Sequence, residues 1–315
     1  AMSEAPLAPG ATIGIIGGGQ LGRMLAMAAA RLGYKTIVLE PDEQAPAAQV
    51  SSRQIIAAYD DPAALEQLAD LCDVVTYEFE NVPVAAVEWL ESRIAVRPGS
   101  KVLKVAQDRL LEKAMARELG AETTRFAPVS NRVELDDAIA ITGLPAVLKT
   151  TRLGYDGKGQ AKIVRPDDAD AAYAAMRGQM AILESFVHFE CEVSVVAARG
   201  VSAGHLEYIG VFAVEFFAVR DGGHHHLLVN EIAPRVHNSG HWTEAACLIS
   251  QFEQHIRAIA GLPLGGTRRH SDCVMENLIG AEADNAARIA AAAQAGKHRA
   301  GVDSKCPKSY MPANR

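Results

Sequence analysis

The chain lacks an apolar run close to the roughly 20 residues that a transmembrane helix requires, so we expect no membrane span. Cysteine is scarce: its five copies are an odd number, lie far apart and form no Cys-x-x-Cys pair. A disulfide framework or a structural zinc site is therefore not expected. The N-terminal residues show no signal pattern of a charged segment followed by an apolar one. Together these features predict a cytoplasmic protein.

An excess of basic residues is also missing. The 315 residues include 31 lysines and arginines against 38 aspartates and glutamates, a formal net charge of −7. This charge argues against a protein that binds nucleic acid through a broad basic surface. It leaves room for a small basic pocket that binds a phosphorylated ligand. Hydrophobic residues make up 49% of the chain and charged residues 22%, so we expect folded domains, two or three at this length.

The N-terminal segment has the pattern of a parallel α/β sheet. Residues 12–16 and 35–39 are short apolar strands, separated by a glycine-rich turn and a helix. The turn, Gly17-Gly18-Gly19-Gln20-Leu21-Gly22, fits the G-x-G-x-x-G pattern of a phosphate-binding turn. Glu40 ends the second strand, where a dinucleotide site places the carboxylate that binds ribose hydroxyls. A dehydrogenase is therefore one interpretation, and a turn that binds another anion or nothing is the alternative.

Residues 104–119 have the spacing of an amphipathic helix that ends at Gly120. Its buried face is predicted from five apolar residues at mostly helical intervals: Val105, Leu110, Leu111, Met115 and Leu119.

Lys149 lies near the end of a predicted strand, residues 145–150, that leads into a loop with three glycines, residues 154–160. Glycines let backbone N–H groups approach phosphate oxygens closely, and Lys149 and Lys158 would add positive charge. The loop is not a P-loop of the form G-x-x-x-x-G-K-[ST]. A phosphate site and a solvated hairpin turn with surface lysines both fit this pattern.

Two glutamates interrupt an apolar hairpin that is predicted over residues 210–232. A turn at residues 221–223 would place Glu215 and Glu231 opposite each other, with Cβ atoms roughly 4.5–5.5 Å apart. Two carboxylates this close in apolar strands repel each other, and a divalent cation removes the conflict. The oxygen ligands of Glu215, Glu231 and Asn230 suit Mg²⁺. The alternatives are a proton shared between the two glutamates or a pairing of one of them with Arg235.

A dense polar segment, residues 233–243, follows the second strand of this hairpin. It contains arginine, two histidines, asparagine, serine and threonine, which can hold an anion and orient a substrate. A capped loop before a helix that starts near Thr243 is the alternative. The run His224–His226 follows the turn, and we expect an exposed hairpin tip there and not a metal site.

Six segments together resemble the ATP-grasp superfamily and, within it, the N5-carboxyaminoimidazole ribonucleotide synthetases of purine biosynthesis. They are GGGQLGRM (17–24), TYEFENV (76–82), QDRLLEK (107–113), GYDGKGQ (154–160), VEFF (214–217) and NEIAPRVHNSGHWT (230–243). The resemblance covers about residues 12–280. It implies an α/β fold of the α+β ATP-grasp type, with an N-terminal Rossmann-like parallel-sheet domain, ATP-grasp domains and an incomplete small C-terminal domain.

The same resemblance assigns roles to individual residues. The ATP-binding residues would be Arg109, Lys149, Gly154, Tyr155, Asp156, Gly157, Lys158, Gly159, Gln160, Glu184, Ser185, Phe186, Val187, Glu192, Asn230 and Glu231. The ligands of Mg²⁺ would be Glu215, Glu231 and Asn230. The substrate-binding residues would be Gly19, Gln20, Leu21, Glu78, Tyr155, Arg235, His237, Asn238 and Ser239. The N-terminal turn would then serve the aminoimidazole nucleotide and not NAD. Lys149 and Arg235 would be catalytic, because they stabilise the charge on the transferred phosphoryl group.

The implied activity is that of an ATP-dependent carbon–nitrogen ligase. Bicarbonate would attack the γ-phosphate of ATP to give carboxyphosphate and ADP. Carboxyphosphate would then carboxylate the exocyclic amine of 5-aminoimidazole ribonucleotide. The resemblance also implies a homodimer, and we expect no nucleic acid or membrane partner. Two other functions fit parts of the pattern: another ATP-grasp ligase, similar to a formate-dependent glycinamide ribonucleotide transformylase or a biotin carboxylase, and a catalytically degenerate ATP-binding protein.

The expected domains are a pre-ATP-grasp domain at 1–115, an ATP-grasp lid at 116–200, a central ATP-grasp domain at 201–280 and an atypical segment at 281–315. Two stretches depart from the family pattern. Residues 201–207 stand in place of a much longer family segment, and no basic ribonucleotide-binding motif follows Gly280. Either the sequence is an incomplete part of a full enzyme, which we favour, or the chain is truly shortened.

Overall fold

The structure is a computed structural model that describes residues 5–152, 159–201, 208–273, 275–276 and 298–299. The chain divides into two compact units. Among the described residues, the first unit contains 5–103, 196–201, 208–213, 233–273 and the two short pairs near the C-terminus. The second unit contains 104–152, 159–195 and 214–232. The domain boundaries expected from the sequence stay a prediction.

The helices of the described residues are α1 (Gln20–Arg31), α2 (Pro62–Leu71), α3 (Val84–Glu91), α4 (Ser100–Ala106), α5 (Arg109–Glu118), α6 (Arg132–Thr142), α7 (Ala169–Ala175), α8 (Thr243–Ala246) and α9 (Gln251–Ile259). Their strands are β1 (Thr12–Ile16), β2 (Lys35–Leu39), β3 (Arg53–Ile55), β4 (Val74–Tyr77), β5 (Phe126–Val129), β6 (Ala146–Thr150), β7 (Gln160–Ile163), β8 (Ala181–Ser185), β9 (Cys191–Arg199), β10 (Gly210–Asp221), β11 (His224–Ala233), β12 (Met275–Glu276) and β13 (His298–Arg299). Short 3₁₀ turns lie at Ala48–Val50, Pro166–Asp168 and Asn238–Gly240. None of the described helices combines the length and the apolar character that a membrane span needs.

The first unit is built on a parallel sheet with the strand order β3-β2-β1-β4. β1 pairs with β2 in register from Thr12 opposite Lys35 to Ile16 opposite Leu39. Apolar side chains of α1 and α9 cover one face of the sheet, and those of α2 and α3 cover the other. Because both faces are buried, the strands are continuous apolar runs and do not alternate with polar residues. The predicted Rossmann-like parallel sheet is confirmed.

The second unit contains an antiparallel sheet with the order β5-β8-β6-β7, and α6 and α7 contribute to its core. β6 and β7 form a hairpin in which Lys149 pairs with Gln160. The backbone N–H of Thr150 donates to the carbonyl of Gly159 at 2.8 Å. The second glycine-rich loop therefore joins two adjacent antiparallel strands, and Lys149 lies at the end of β6 where that loop begins.

Strands β9, β10 and β11 form a third sheet in the order β11-β10-β9. Gly222 and Gly223 make the turn between β10 and β11, and their φ angles are +53° and +88°. A two-residue type I′ turn needs positive φ at both positions, which glycine adopts without strain. The predicted hairpin is confirmed, and the run His224–His226 is exposed beside its turn as expected.

The helix predicted over residues 104–119 is two helices, α4 and α5. Asp108 stands at the N-cap of α5, where its carboxylate accepts hydrogen bonds from the N–H groups of Leu110 and Leu111. An N-cap residue has extended backbone dihedrals, and this ends the helical path between α4 and α5.

The predicted buried face of this segment is wrong in part. Leu111 is 43% exposed and Leu119 is 73% exposed, whereas Glu112 and Lys113 are buried. Apolar periodicity identifies the face that is richest in leucine. It does not detect a charged face that is buried because its charges are paired within the protein.

Candidate active site

The glycine-rich turn before α1 binds a carboxylate of the chain itself. Glu78 follows β4, the neighbour of β1 in the sheet, and it accepts hydrogen bonds from the N–H groups of Gly19 and Gly22. The N-terminus of a helix favours a negative charge, because its backbone N–H groups have no partner within the helix. The N–H groups that would cradle a phosphate are therefore already used by Glu78.

Close packing explains the glycines of this turn. A Cβ atom on Gly22 would lie 2.8 Å from the carbonyl oxygen of Gly17 and 3.0 Å from a carboxylate oxygen of Glu78. Gly17 itself has a φ of +101°, which side-chain-bearing residues rarely adopt. The turn thus needs glycine for the approach of Glu78 as much as for its backbone path.

Burial and hydrogen bonding have opposite effects on the pKa of Glu78. Burial raises the pKa of Glu78 to about 7, against the hydrogen bonds from Gly22 and Gly19 that lower it. Glu40, which accepts hydrogen bonds from the N–H of Gly18 at 2.8 Å and from the hydroxyl of Tyr59 at 2.6 Å, adds a further upward shift. Glu78 can therefore gain or lose a proton near neutral pH.

Arg235 forms an ion pair with Glu80, two residues beyond Glu78. Its Nε donates to the carboxylate of Glu80, and its Nη1 donates to the carbonyl of Val236 at 3.1 Å. Burial alone would raise the pKa of Glu80, but Arg235 brings it down to about 2. Glu80 stays ionised and fixes the guanidinium. Glu80 lies in the family segment TYEFENV but was not among the predicted site residues.

The residues after Arg235 are held by Gln251, at the start of α9. The amide oxygen of Gln251 accepts from the N–H of His237 at 2.9 Å, and its Nε2 donates to the carbonyl of His237 at 2.6 Å. Nδ1 of His237 lies 2.8 Å from the hydroxyl of Ser239. Burial lowers the pKa of His237 to about 3, so the imidazole is neutral at physiological pH. Thr243 does not cap α8, since it is the first helical residue and its hydroxyl donates to Gly240.

In the second unit, the carboxylates of Glu215 on β10 and Glu231 on β11 lie within 4.8 Å of each other. Burial and the charge of Glu231 both raise the pKa of Glu192 on β9. Three acidic side chains therefore gather on adjacent strands, and Asn230 precedes Glu231 in the chain. Carboxylate oxygens are donors that Mg²⁺ takes in proteins, so the two glutamates fit that ion, and the role of Asn230 stays a prediction.

Two cationic residues lie at the end of β6. Nζ of Lys149 is 3.2 Å from a carboxylate oxygen of Glu184 on β8. Arg109 begins α5, and its Nη1 donates to the carbonyl of Thr150 at 3.3 Å. Both residues therefore place positive charge at the end of β6. The predicted site residues Gly154, Tyr155, Asp156, Gly157 and Lys158 lie outside the described residues.

Glu184 receives a second lysine, Lys113 of α5, at 3.5 Å. Burial alone would raise the pKa of Glu184, but Lys149 and Lys113 together hold it below its usual value. Lys113 and its neighbour Glu112 lie in the QDRLLEK segment but were not among the predicted site residues. Helical periodicity is read from apolar residues, so it gives no sign that these two charged residues are buried. Only the family segment could have identified them.

The segment from Glu184 to Val187, predicted to bind ATP, is anchored near its start. The backbone N–H of Ser185 donates to the carbonyl of Arg125 at 2.9 Å, and the hydroxyl of Ser185 donates to the carbonyl of Thr142 at 2.8 Å. Phe186 follows, with the ammonium of Lys162 at 3.8 Å from its ring centroid. The roles of Ser185, Phe186 and Val187 toward a nucleotide stay a prediction.

Comparisons with known proteins come from two family models and from individual relatives. The model described as the ribonucleotide synthetase preATP-grasp domain matches residues 10–107. The model described as the ATP-grasp domain matches residues 114–205 and 202–252. The curated N5-carboxyaminoimidazole ribonucleotide synthase of Brucella melitensis is 52% identical over 323 residues, which cover 89% of this chain and 88% of that protein.

Two solved structures share the fold. The N5-carboxyaminoimidazole synthetase of Staphylococcus aureus, complexed with ADP, is 36% identical with a TM-score of 0.79, and the match covers 84% of this chain and 81% of that one. The Aspergillus clavatus synthase in complex with ADP and 5-aminoimidazole ribonucleotide is 27% identical with a TM-score of 0.74, over 82% and 78% of the two chains. The sequence identity and the shared fold show that the chain belongs to the N5-carboxyaminoimidazole ribonucleotide synthase family of ATP-grasp ligases.

Proposed function

We propose that this chain uses ATP to carboxylate 5-aminoimidazole ribonucleotide to N5-carboxyaminoimidazole ribonucleotide, with bicarbonate as the source of the carboxyl group. Its family membership makes it an ATP-dependent carbon–nitrogen ligase of purine biosynthesis. The Aspergillus clavatus relative, in complex with ADP and 5-aminoimidazole ribonucleotide, supports that nucleotide as the acceptor. The relatives reported above favour this activity over another ATP-grasp ligase or a degenerate ATP-binding protein.

The observation that carries this proposal is the pair of carboxylates on β10 and β11. Glu215 and Glu231, with Asn230 beside them, would hold Mg²⁺. When bound there, the ion would neutralise charge on the phosphates of ATP. Lys149 and Arg109 would bind phosphate oxygens at the end of β6, where they stabilise the negative charge of the transferred group.

The nucleotide acceptor would be bound by polar groups of the first unit. Glu78 presents a carboxylate held by the turn of α1, and Arg235 presents a guanidinium held by Glu80. The backbone clamp of Gln251 on His237 fixes the positions of Asn238 and Ser239, which follow in the chain. These side chains bind and orient the nucleotide, and no side-chain nucleophile is needed. A cytoplasmic location and a homodimer belong to this proposal and rest on the family resemblance.

The experiment that tests the proposal measures ADP release from ATP and MgCl₂, with and without 5-aminoimidazole ribonucleotide and bicarbonate. We expect ADP release to need both co-substrates. Glu231→Gln should lower the rate by about 100-fold or more, since it removes charge stabilisation at the phosphoryl group. Glu190→Gln, at an exposed carboxylate just before β9, is the matched control and should stay within about twofold of the wild type. Equal rates of ADP release with and without 5-aminoimidazole ribonucleotide would contradict the proposal.

A further inference from the structure

Lys113 is a fully buried lysine that the proposed chemistry does not use. It lies in the middle of α5, and 1% of its side chain is exposed. Nζ donates to the carbonyls of Val229 at 3.3 Å and Asn230 at 3.2 Å, and it lies 3.5 Å from a carboxylate oxygen of Glu184. An ammonium has three donors, and these contacts use all three. The side chain therefore has one defined position.

A buried ammonium is not needed for stability alone. Replacing a buried ion pair by apolar residues of similar size is often neutral or stabilising, because desolvation opposes the attraction between the charges. A methionine or leucine on α5 would fill the same volume. The presence of lysine at this position suggests that its charge or its hydrogen bonds serve the site.

The contacts of Glu184 with two lysines indicate how the charge of Lys113 acts on the site. One carboxylate oxygen of Glu184 faces two ammonium groups, Lys149 at 3.2 Å and Lys113 at 3.5 Å. Both ammonium groups share this one oxygen, so Lys113 weakens the hold of Glu184 on Lys149. Without Lys113, Lys149 would be the nearest cation to Glu184 among the described residues, and the two charges would pair. Lys149 is then a poorer partner for a phosphate, because its charge is already compensated.

The same helix also holds the backbone of β11 around Glu231. Lys113 binds the carbonyls of Val229 and Asn230, and the carboxylate of its neighbour Glu112 accepts from the N–H of Ile232. The backbone is therefore fixed on both sides of Glu231.

We propose that Lys113 is a positioning residue for ATP: its ammonium takes up the charge of Glu184 and leaves Lys149 with a net positive charge for the phosphates. The proposal rests on the phosphate-binding role of Lys149 under the proposed function. It predicts that the effect of Lys113 on ATP affinity depends on the charge of Glu184, which a purely structural role does not predict.

The test is a double-mutant cycle with Lys113→Met, Glu184→Gln and the double variant. The measurement is the dissociation constant of a non-hydrolysable ATP analogue in MgCl₂, by calorimetry. Lys113→Met alone should weaken binding by about tenfold or more, because Glu184 then neutralises Lys149. In the Glu184→Gln background, the same change should alter the dissociation constant by less than about threefold. Lys104→Met, at an exposed lysine of α4, controls for the loss of a positive charge.

The design stays decisive if Lys113→Met fails to fold, since Glu184→Gln and the double variant leave no unpaired buried carboxylate at this position. A dissociation constant that differs by tenfold or more between those two variants would overturn the proposal. Equal effects of Lys113→Met in both backgrounds would also overturn it and would assign Lys113 a structural role. Because the readout is binding of the ATP analogue, it can be interpreted even if carboxylation of the nucleotide is not found.

Discussion

At the scale of single residues, Glu78 shows how a protein carboxylate can take the place that a sequence motif suggests for a phosphate. The G-x-G-x-x-G pattern predicts backbone N–H groups that converge on an anion, and the structure has that arrangement. The identity of the anion depends on β4, which lies next to β1 in the sheet but far away in the chain. No local pattern could therefore distinguish Glu78 from a bound phosphate.

The raised pKa of Glu78 has a consequence for stability. Between pH 4.5 and about 7 the folded chain keeps a proton on Glu78 that the unfolded chain has lost, so this residue weakens the fold as the pH rises. Glu78→Gln removes this dependence. As the pH rises from 4.5 to about 7, the difference in the free energy of unfolding between the variant and the wild type should shift in the variant's favour by up to about 3 kcal/mol.

Urea unfolding at a series of pH values measures this difference. Glu88→Gln on the exposed side of α3 makes the same chemical change and should follow the wild type at every pH. If the difference in free energy of unfolding between Glu78→Gln and the wild type does not change with pH, the pKa of Glu78 is not raised in the folded chain.

Gly22→Ala tests the close packing of the turn. In an ordinary helix the change from glycine to alanine is favourable by about 1 kcal/mol. Here the new Cβ would meet a backbone carbonyl at 2.8 Å and the buried carboxylate of Glu78 at 3.0 Å. We expect a loss of about 2 kcal/mol or more in the free energy of unfolding. Gly266→Ala, with no atom within 4 Å of its Cβ position, should change it by less than about 0.5 kcal/mol.

Some site residues could be predicted one by one, and others could not. Glu215 and Glu231 are conspicuous because each is a charge inside an apolar strand, and the hairpin turn between them is marked by two glycines. Gln251 and Lys113 act through the backbone of distant residues. A side chain that binds a distant carbonyl leaves no trace in the local sequence, so these residues needed the structure.

At the scale of elements, α5 separates the two signals that helices carry. Helical periodicity placed a helix at the right residues, apart from the break at Asp108. The face that it predicted is wrong in part: Leu111 and Leu119 are exposed, and the fully buried residues of α5 are Glu112, Lys113 and Ala116. The periodicity of a helix is a property of its own sequence. The face that is buried depends on the partners that the rest of the unit supplies.

A pair of leucine substitutions in the second unit tests this assignment. Leu111→Ala on α5 removes a side chain that is 43% exposed, so it should cost less than about 1 kcal/mol of the free energy of unfolding. Leu135→Ala on α6 removes a fully buried side chain from the core and should cost about 2–5 kcal/mol. Urea unfolding of the two variants gives both values. Equal losses would mean that Leu111 is buried and that the periodicity was right.

At the scale of the whole molecule, the fold class and the family could be predicted, because the succession of strands and helices and the family segments are properties of long stretches of sequence. The family segments that the sequence lacks agree with the alignment to a relative. The alignment with the Brucella melitensis enzyme runs over 323 positions, of which this chain fills about 280, or 89% of its length. That relative therefore has residues without a counterpart in this chain. Residues 202–207 and 277–297 lie outside the described residues.

The proposed carboxylation can be tested by following the carboxyl group itself. Carbon-13 bicarbonate is supplied with ATP, MgCl₂ and 5-aminoimidazole ribonucleotide, and the products are observed by NMR at alkaline pH, where a carbamate persists. We expect the label to enter a carbamate on the exocyclic amine, with one carbamate formed for each ADP. ADP formation with no label on the nucleotide would rule out this reaction.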